Sequence, residues 1–534
     1  MIKYTIPHFF NDAVYQFSGH DALSFTDEKP VSYQELALKI SSTISYLQEN
    51  NISKGDRVAI WGSNSPQWGI AYLAITCMGA VVVPLLPEVP PADAEIILRH
   101  SGTEILFTSQ TNAAKITSSK FTQPGRIVIL EDLLANNDTT NRIFDFANSD
   151  VTEDDLAAII YTSGTTGRAK GVMLTHRNIS HVAWHSRNIQ PINSTDRFLS
   201  VLPMAHTYEN SLGFLFPVFN GACIYYLRKA PTASVLLPVL LQIRPTLMLT
   251  VPLIIEKMFR MRIKPQLTKG IVLRTLYKIG PFRKLLHRMA GKKLMKTFGG
   301  EIKFFGIGGA KLNPTVERFL KEARFPYAIG YGLTESAPLL AGANGQHTRF
   351  ESTGPALFGV ELKIENPDPK TGEGEIWAKG PNVMKGYYRE PELTSEVITP
   401  DGWLKTGDLG KIDKRNYLYI RGRLKNIIIT STGKNIYPED IEALINNHRF
   451  VAESLVIERK GKLVALVQLN MEELEQQFNL LLDAIDARKS EILEEIRQYV
   501  NAHVSQLSQI QSIVFQAVPF EKTATQKIKR FMYQ

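Results

Sequence analysis

Between Tyr161 and His176 the sequence reads YTSGTTGRAKGVMLTH, and the nine residues from Thr162 to Lys170 gather hydroxyls, glycines and a cation. Thr162, Ser163, Thr165 and Thr166 carry the hydroxyls, Gly164 and Gly167 bare backbone, and Lys170 a compact positive charge. Glycine lets N–H groups approach phosphate oxygens closely, hydroxyls donate further hydrogen bonds, and the ammonium balances charge. The stretch therefore predicts a phosphate-gripping loop fed by an apolar strand from Leu156 to Ile160. Walker spacing is not met, because Arg168 and Ala169 separate Gly167 from Lys170 and Gly171 stands where Ser or Thr is required. An ordinary P-loop nucleotidase is disfavoured. Taken alone, the loop could also be a polar surface turn between two strands.

Later segments set further polar groups beside glycine. MAHTYEN, from Met204 to Asn210, follows a strand-like run ending at Pro203 and leads into Ser211 to Tyr226, which is almost wholly apolar and aromatic. A lone histidine at a strand end is ordinarily structural; facing such a run, His206 could also form a wall between a polar reaction centre and an apolar pocket. The apolar run itself could line such a pocket or belong to the core. A strand at Ile302 to Ile307 ends in Gly308, Gly309 and Ala310, a second close-approach turn. AIGYGLTES, from Ala328 to Ser336, places an aromatic, a hydroxyl and a carboxylate together, so that Thr334 could touch a phosphate and Glu335 could hold Mg²⁺ through oxygen. In WLKTGDLG, Asp408 puts a carboxylate in a glycine turn suited to hydrogen-bonding a sugar diol.

The elements that must position these groups read as alternating strands and helices. A helix is predicted over Val31 to Asn50, with Ser32 and Glu35 as a capping box. A strand at Arg57 to Trp61, a helix at Trp68 to Met78 and a strand at Ala80 to Leu85 follow, then a similar unit at Ala94 to Ser109. Beyond the phosphate loop come a helix at Asn178 to Ile189 and strands at Arg197 to Leu202 and Thr246 to Val251. This order predicts an α/β protein with a largely parallel sheet. At 534 residues the chain exceeds a single core, so two or more domains are expected.

An apolar fraction of 44% and a charged fraction of 21% are ordinary for a folded protein. Cys77 and Cys223 lie far from any second Cys or His at ligand spacing, so neither a disulfide framework nor structural zinc is suggested and buried, reduced thiols are expected. No stretch approaches about 18 uninterrupted apolar residues, and MIKYTIPHFFNDAV lacks a leader pattern; a cytoplasmic chain, or one peripheral to a membrane, is expected. The net charge of +9 is concentrated: from Lys257 to Gly300 there are 13 Lys or Arg and no Asp or Glu, interleaved with Leu273, Leu276, Tyr277, Phe282, Leu285 and Met289. Such a basic amphipathic stretch suits an anionic membrane surface or an acidic partner, the alternative being a solvated helical face. No nucleic-acid partner is expected, since no zinc finger or RNP aromatic motif accompanies it.

Taken in order, YTSGTTGRAKG, GIGGAKL, GYGLTES, GEIWAKGPNVMKGYY, WLKTGDLG and RGRLKNIIITSTGKNIYPEDIE span nearly the whole chain. In this order they resemble the acyl-adenylate-forming superfamily of AMP-binding enzymes, above all its long-chain fatty acid CoA ligases. The resemblance implies a large multi-subdomain N-terminal domain with parallel-rich sheets, residues 1–422, joined by a hinge to a small mobile α+β C-terminal domain, residues 423–534. It implies ATP, Mg²⁺ and coenzyme A, and a reaction in which a fatty acid and MgATP give acyl-AMP before CoA displaces AMP. Thr162 to Lys170 would be the pyrophosphate loop, Thr334 and Glu335 the phosphate and magnesium contacts with Thr166 as a second metal contact, and Tyr331 the ring that stacks on adenine. Asp408 and Arg423 would hold the ribose hydroxyls, and Gly309, Ala310 and Gly332 complete the nucleotide set. Lys425 falls at the hinge, Gly433 in a loop lining the pantetheine path, and Lys527 matches the lysine that bridges carboxylate and ATP. His206 joins the catalytic set. The chain departs from the family in carrying Gln526, where glycine usually precedes that lysine. The alternatives are an adenylate-forming ligase for an aryl or amino acid or a carrier-protein thiol, and a membrane-associated binding protein with a decayed site. Intact Lys170, Glu335, Asp408 and Lys527 speak against decay.

Overall fold

The computed structural model describes residues 2–116, 127–135, 143–163, 169–429, 435–471, 474, 482–522 and 528–534. Its large part is built on two seven-stranded sheets. In one, Arg57–Trp61, Val81–Leu85, Ile105–Thr108, Ile127–Ile129 and Leu156–Ser163 run parallel, and Ala169–Thr175 and Gly386–Tyr387 close an edge in antiparallel pairing. In the other, Asp21–Phe25, Cys223–Tyr226, Arg197–Ser200, Leu247–Thr250, Phe304–Ile307 and Tyr327–Ile329 are parallel neighbours. Continuous apolar runs such as RVAIW and VVVPL fit strands covered on both faces.

The crossover helix Pro66–Cys77 shows how the two sheets are joined. All twelve of its residues are buried, and it packs against strands of both sheets, so it is apolar all round and lacks a polar stripe. Trp68 stacks on Tyr72 at 5.4 Å, and Phe214 meets both rings edge-on at 6.3 and 5.7 Å. The helix expected from Val31 is Tyr33–Glu49, and both halves of the Ser32/Glu35 capping box are formed. Cys77 and Cys223 are buried free thiols; burial pushes Cys223 up to about 12, so it stays protonated.

The apolar run after Asn210 belongs to the core. Glu209–Leu215 forms a π-helical turn, Phe216–Phe219 continues it as an α-helix, and every residue of both is buried, with Leu212, Phe214, Leu215, Phe216, Val218 and Phe219 in the main apolar cluster.

A four-stranded antiparallel sheet, Glu361–Glu365, Gly374–Lys379, Leu404–Ile412 and Leu418–Arg423, follows. After it, helices Pro438–Ile445 and Leu482–Asn501 cover the strands Val451–Arg459, Lys462–Leu469 and Ser512–Phe515 around an apolar cluster of their own, containing Ile441, Ile445, Val456, Ala465 and Ile496. Phe214→Ala should destabilise the large part by about 3–5 kcal/mol, the range for emptying a buried aromatic site. Urea unfolding followed by tryptophan fluorescence measures this; an unchanged midpoint would mean that the ring lines an open space.

Candidate active site

The glycine-rich loop joins two antiparallel strands, with Thr162 opposite Lys170 and Ser163 opposite Ala169. Gly164, Thr165, Thr166 and Gly167 lie outside the described residues. No helix starts at the loop's end: the next helix, His176–Ile189, begins only after the second strand. The loop is thus a hairpin connection, and a helix dipole cannot supply its positive potential. Among the described residues of this segment the cation is Lys170, whose Nζ lies 5.3 Å from the ring centroid of Tyr387.

Tyr387 reaches this position because Gly386–Tyr387 pairs with Val172 and Met173 of the hairpin's second strand. Its hydroxyl donates to Glu335 Oε1 at 2.9 Å. Burial, followed by the Glu335 charge, raises the Tyr387 pKa, so the phenol stays a donor. Glu335 sits in the 3₁₀ turn Thr334–Ser336, and its carbonyl accepts the N–H of Met384 at 2.9 Å. The turn is tied further by Asn382, fully buried, whose Nδ2 donates to the carbonyls of Ser336 and Leu339 at 3.0 and 2.9 Å. Gly332 admits no side chain, since a Cβ there would stand 1.7 Å from the Pro338 carbonyl oxygen. Among the described residues no group of three or more His, Cys, Asp or Glu could enclose a metal ion. A single carboxylate such as Glu335 fits a hard cation that arrives on phosphate oxygens and keeps several of its own ligands.

At the other end of the same segment, Tyr331 donates its hydroxyl to Asp408 Oδ2 at 2.7 Å. Arg423 Nε approaches Asp408 Oδ1 at 2.8 Å, and the two residues are direct cross-strand partners. Burial, then the Asp408 charge, raises the Tyr331 pKa well above its ordinary value. Asp408 is 4% exposed, whereas Arg423 is exposed, so the carboxylate is fixed and the guanidinium faces outward. Lys425 follows in the exposed 3₁₀ turn Leu424–Asn426. Gly433 and Lys527 lie outside the described residues.

His206 is half-buried, and its Nδ1 accepts the N–H of Tyr208 at 3.2 Å, which puts the proton of the neutral ring on Nε2. The Tyr208 ring lies against the strand carrying the second glycine turn: a Cβ on Gly308 would come within 2.9 Å of it. Gly309, with φ +84°, and Ala310 are exposed at that strand's end. Ser211 Oγ donates to the Ala337 carbonyl at 2.8 Å, joining the π-helical turn to the Glu335 turn.

The AMP-binding enzyme family matches residues 10–388, well over half of the chain. The chain belongs to that family. Fatty acyl-CoA synthetase A of Dictyostelium discoideum is 28% identical over 472 residues, covering 80% of this chain and 70% of that protein. A chloroplastic long-chain-fatty-acid–[acyl-carrier-protein] ligase of Arabidopsis thaliana is 27% identical over 540 residues, covering 83% and 73%. The crystal structure of an ATP-bound RpMatB–BxBclM chimera superposes with a TM-score of 0.78 at 26% identity, covering 99% of this chain and 98% of that one.

In this AMP-binding enzyme the structure brings Lys170, Glu335, Tyr331, Asp408 and Arg423 into two linked clusters. Tyr387 went unread as a site residue; its signal was the aromatic pair closing GPNVMKGYY. Asn382 in the same motif was likewise unread. Tyr387→Phe, which removes the hydroxyl that positions Glu335, should lower the adenylation rate about 10- to 100-fold, the range for a hydrogen bond to a charged group. It should also raise the Mg²⁺ concentration giving half-maximal rate. A lower rate with unchanged Mg²⁺ dependence would remove Tyr387 from that role.

Glu209, beside His206, is fully buried; its Oε1 accepts from Ser200 Oγ at 2.6 Å, and Oε2 has no hydrogen-bond partner. Desolvation pushes its pKa up to about 8 from 4.5, so folding takes up a proton between those values. Its contribution is therefore fully present below about pH 4.5 and is lost as pH rises through about 8. Glu317 and Glu442, each pushed up to about 7 by burial, act in the same direction. Glu209→Gln should make the fall of the denaturation midpoint between pH 5 and pH 8 shallower without abolishing it. Superimposable pH profiles for the two proteins would show that Glu209 is ionised in the fold.

Proposed function

We infer that this AMP-binding enzyme activates a long-chain fatty acid with MgATP and passes the acyl group to coenzyme A. One observation carries the reading: within five residues, Tyr331 to Glu335, the chain holds an aromatic hydroxyl tied to a carboxylate–guanidinium pair and a separate carboxylate bonded to Tyr387, over whose ring Lys170 lies. Those are the groups required by ribose and adenine at one end and by metal-bound phosphates at the other. A relative named for fatty acyl-CoA synthesis supports the acyl substrate, and the ATP-bound structural neighbour supports the nucleotide.

In the first step a carboxylate oxygen of the acid attacks the α-phosphorus in line, and the bond to the pyrophosphate oxygen breaks. Charge grows on the phosphoryl oxygens, so fixed donors are worth more there than in the ground state. Lys170, Thr334 and the loop hydroxyls serve that purpose, and Mg²⁺ held by Glu335 and Thr166 would neutralise phosphate charge. Asp408 and Arg423 hold the ribose, and Tyr331 covers the base. In the second step the CoA sulfur, having lost its proton, attacks the acyl carbon, and the acyl–oxygen bond to AMP breaks. No protein nucleophile takes part. The proposed division at residues 422 and 423 lets the small C-terminal unit turn at Lys425, exchanging Lys527 for the loop bearing Gly433. The chain works in the cytoplasm, peripheral to the membrane that holds its substrate.

A panel of fatty, aryl and amino acids with MgATP, read as pyrophosphate with and without CoA, tests the reading. Pyrophosphate from fatty acids with CoA consumed is expected; no pyrophosphate from any acid ends it, and pyrophosphate without CoA consumption transfers it to a carrier-protein thiol, as the Arabidopsis relative's name suggests. In the same assay Lys527→Ala should lose about 10²- to 10³-fold in acyl-AMP formation and leave the reaction of pre-made acyl-AMP with CoA much less affected. Equal losses in both halves would mean that the lysine acts through stability alone.

A further inference from the structure

The segment from Lys257 to Gly300, with 13 cations and no acid, ends in helices Gly270–Lys278 and Gly280–Thr297. The first buries none of its residues. The second packs inward through His287, Gly291 and Leu294, and so closely that a Cβ on Gly291 would stand 2.7 Å from Ala323. At 3.6 residues per turn, the line opposite that packed edge runs through Phe282, Leu285 and Met289. These three are 47%, 55% and 62% exposed, and Ile271 and Val272 on the preceding helix are 83% and 72% exposed.

Three of the cations are engaged elsewhere. Arg283 makes two hydrogen bonds to Glu322, at 3.1 and 2.9 Å, so it is not available to a partner as the sequence suggested. Arg260 donates to the carbonyls of Asn446 and Val451, and burial lowers the pKa of the half-buried Lys264. Every other Lys and Arg of the segment is exposed, and Lys292, Lys293 and Lys296 share the outward half of the helix with the apolar line.

A solvated helical face would leave the cations outside and turn the apolar residues in. Here the apolar line points away from the body among the cations. A second copy of this face would oppose like charges, and a nucleic-acid backbone would satisfy the cations while stranding Phe282, Leu285 and Met289. A bilayer interface with anionic lipid satisfies both, taking the rings and aliphatic groups at the acyl boundary and the ammonium groups at the head groups. We propose that the outward face of helices Gly270–Lys278 and Gly280–Thr297 docks the protein on an anionic membrane surface. It lies on the surface without spanning: among the described residues no helix is long and apolar enough to cross a membrane. The inference rests on this surface and not on the identity of the carboxylic acid.

The test is co-sedimentation of the full chain, without substrates, with vesicles of phosphatidylcholine alone or mixed with phosphatidylglycerol. Binding to the mixed vesicles only, fading with added salt, is expected. Replacing Lys284, Arg288, Lys292 and Lys293 by Ser should weaken it by on the order of 100-fold or more, at about fivefold per cation. Phe282→Trp, at an exposed position, provides a second readout that spares the charges: its emission should shift to the blue with the mixed vesicles and stay unchanged with phosphatidylcholine. No sedimentation with mixed vesicles, equal sedimentation with both, or an unshifted tryptophan would overturn the proposal. So would a dimer in sedimentation velocity that the four-serine variant dissolves, since it would give the face to a second copy. None of these outcomes bears on acyl-AMP formation, which is measured separately.

Discussion

A buried carboxylate must be neutralised where it lies, and the arrangement around Asp408 follows from that requirement. Its charge is met on one oxygen by the Arg423 guanidinium and on the other by the Tyr331 hydroxyl. The antiparallel ladder supplies the first partner, because Asp408 and Arg423 are opposite one another on adjacent strands. The second comes from beyond the edge strand of a parallel sheet, Tyr327–Ile329. One carboxylate therefore ties together two layers that share no strand. Two residues past the anchored guanidinium, Lys425, the proposed hinge, lies exposed in a 3₁₀ turn.

The Glu335 side of the site is held by amides instead of charges. Thr175 ends the hairpin's second strand and caps the next helix, with Asn178 as its capping-box partner. The Asn178 Nδ2 donates at 2.8 Å to the carbonyls of Pro381 and Val383, and Asn382 between them donates to those of Ser336 and Leu339. This chain of bonds carries the position of the glycine-rich hairpin to the Glu335 turn without a continuous strand. It explains the composition of GPNVMKGYY: asparagine satisfies carbonyls that no ladder reaches, and the last two strand residues deliver Tyr387 to the carboxylate. Neutral hydrogen bonds of this kind are each worth about 1 kcal/mol net, but a buried carbonyl left without one costs more, so loss of any member is felt at the site.

Much of the layer architecture was legible because it follows local periodicity. Continuous apolar runs gave the strands Arg57–Trp61 and Val81–Leu85, and the Ser32/Glu35 spacing marked the start of its helix. The role of Tyr387 was not legible, since its partner Glu335 lies 52 residues away and nothing local to either residue announces the other. The same holds for Arg283, which reads as one cation among many until the helix Pro314–Glu322 brings Glu322 to it. A run like Ser211 to Tyr226 was ambiguous for another reason: core and pocket lining use the same side chains. Here the rings of Trp68 and Tyr72 claim Phe214. The strand entering the glycine-rich loop was legible, but the hairpin was not, because a strand followed by hydroxyls and glycine precedes a hairpin as readily as a helix.

The proposed turn at Lys425 asks what would have to be given up as the small unit moves. Its apolar cluster is its own, so rotation need not open a core. The bonds that would exchange are polar: Arg260 to the carbonyls of Asn446 and Val451, Asn313 to Ala443 and Asn447, Lys311 to Asp440, and Glu373 to Tyr437. Water can replace partners of this type at small net cost, since an accessible ion pair or hydrogen bond contributes only about 0–1.5 kcal/mol. Asp408 and Arg423 belong to one antiparallel ladder and need not part. Exchangeable polar bonds beside a fixed charge pair suit a unit that settles in more than one position without unfolding. An apolar contact of similar extent would lock it in one.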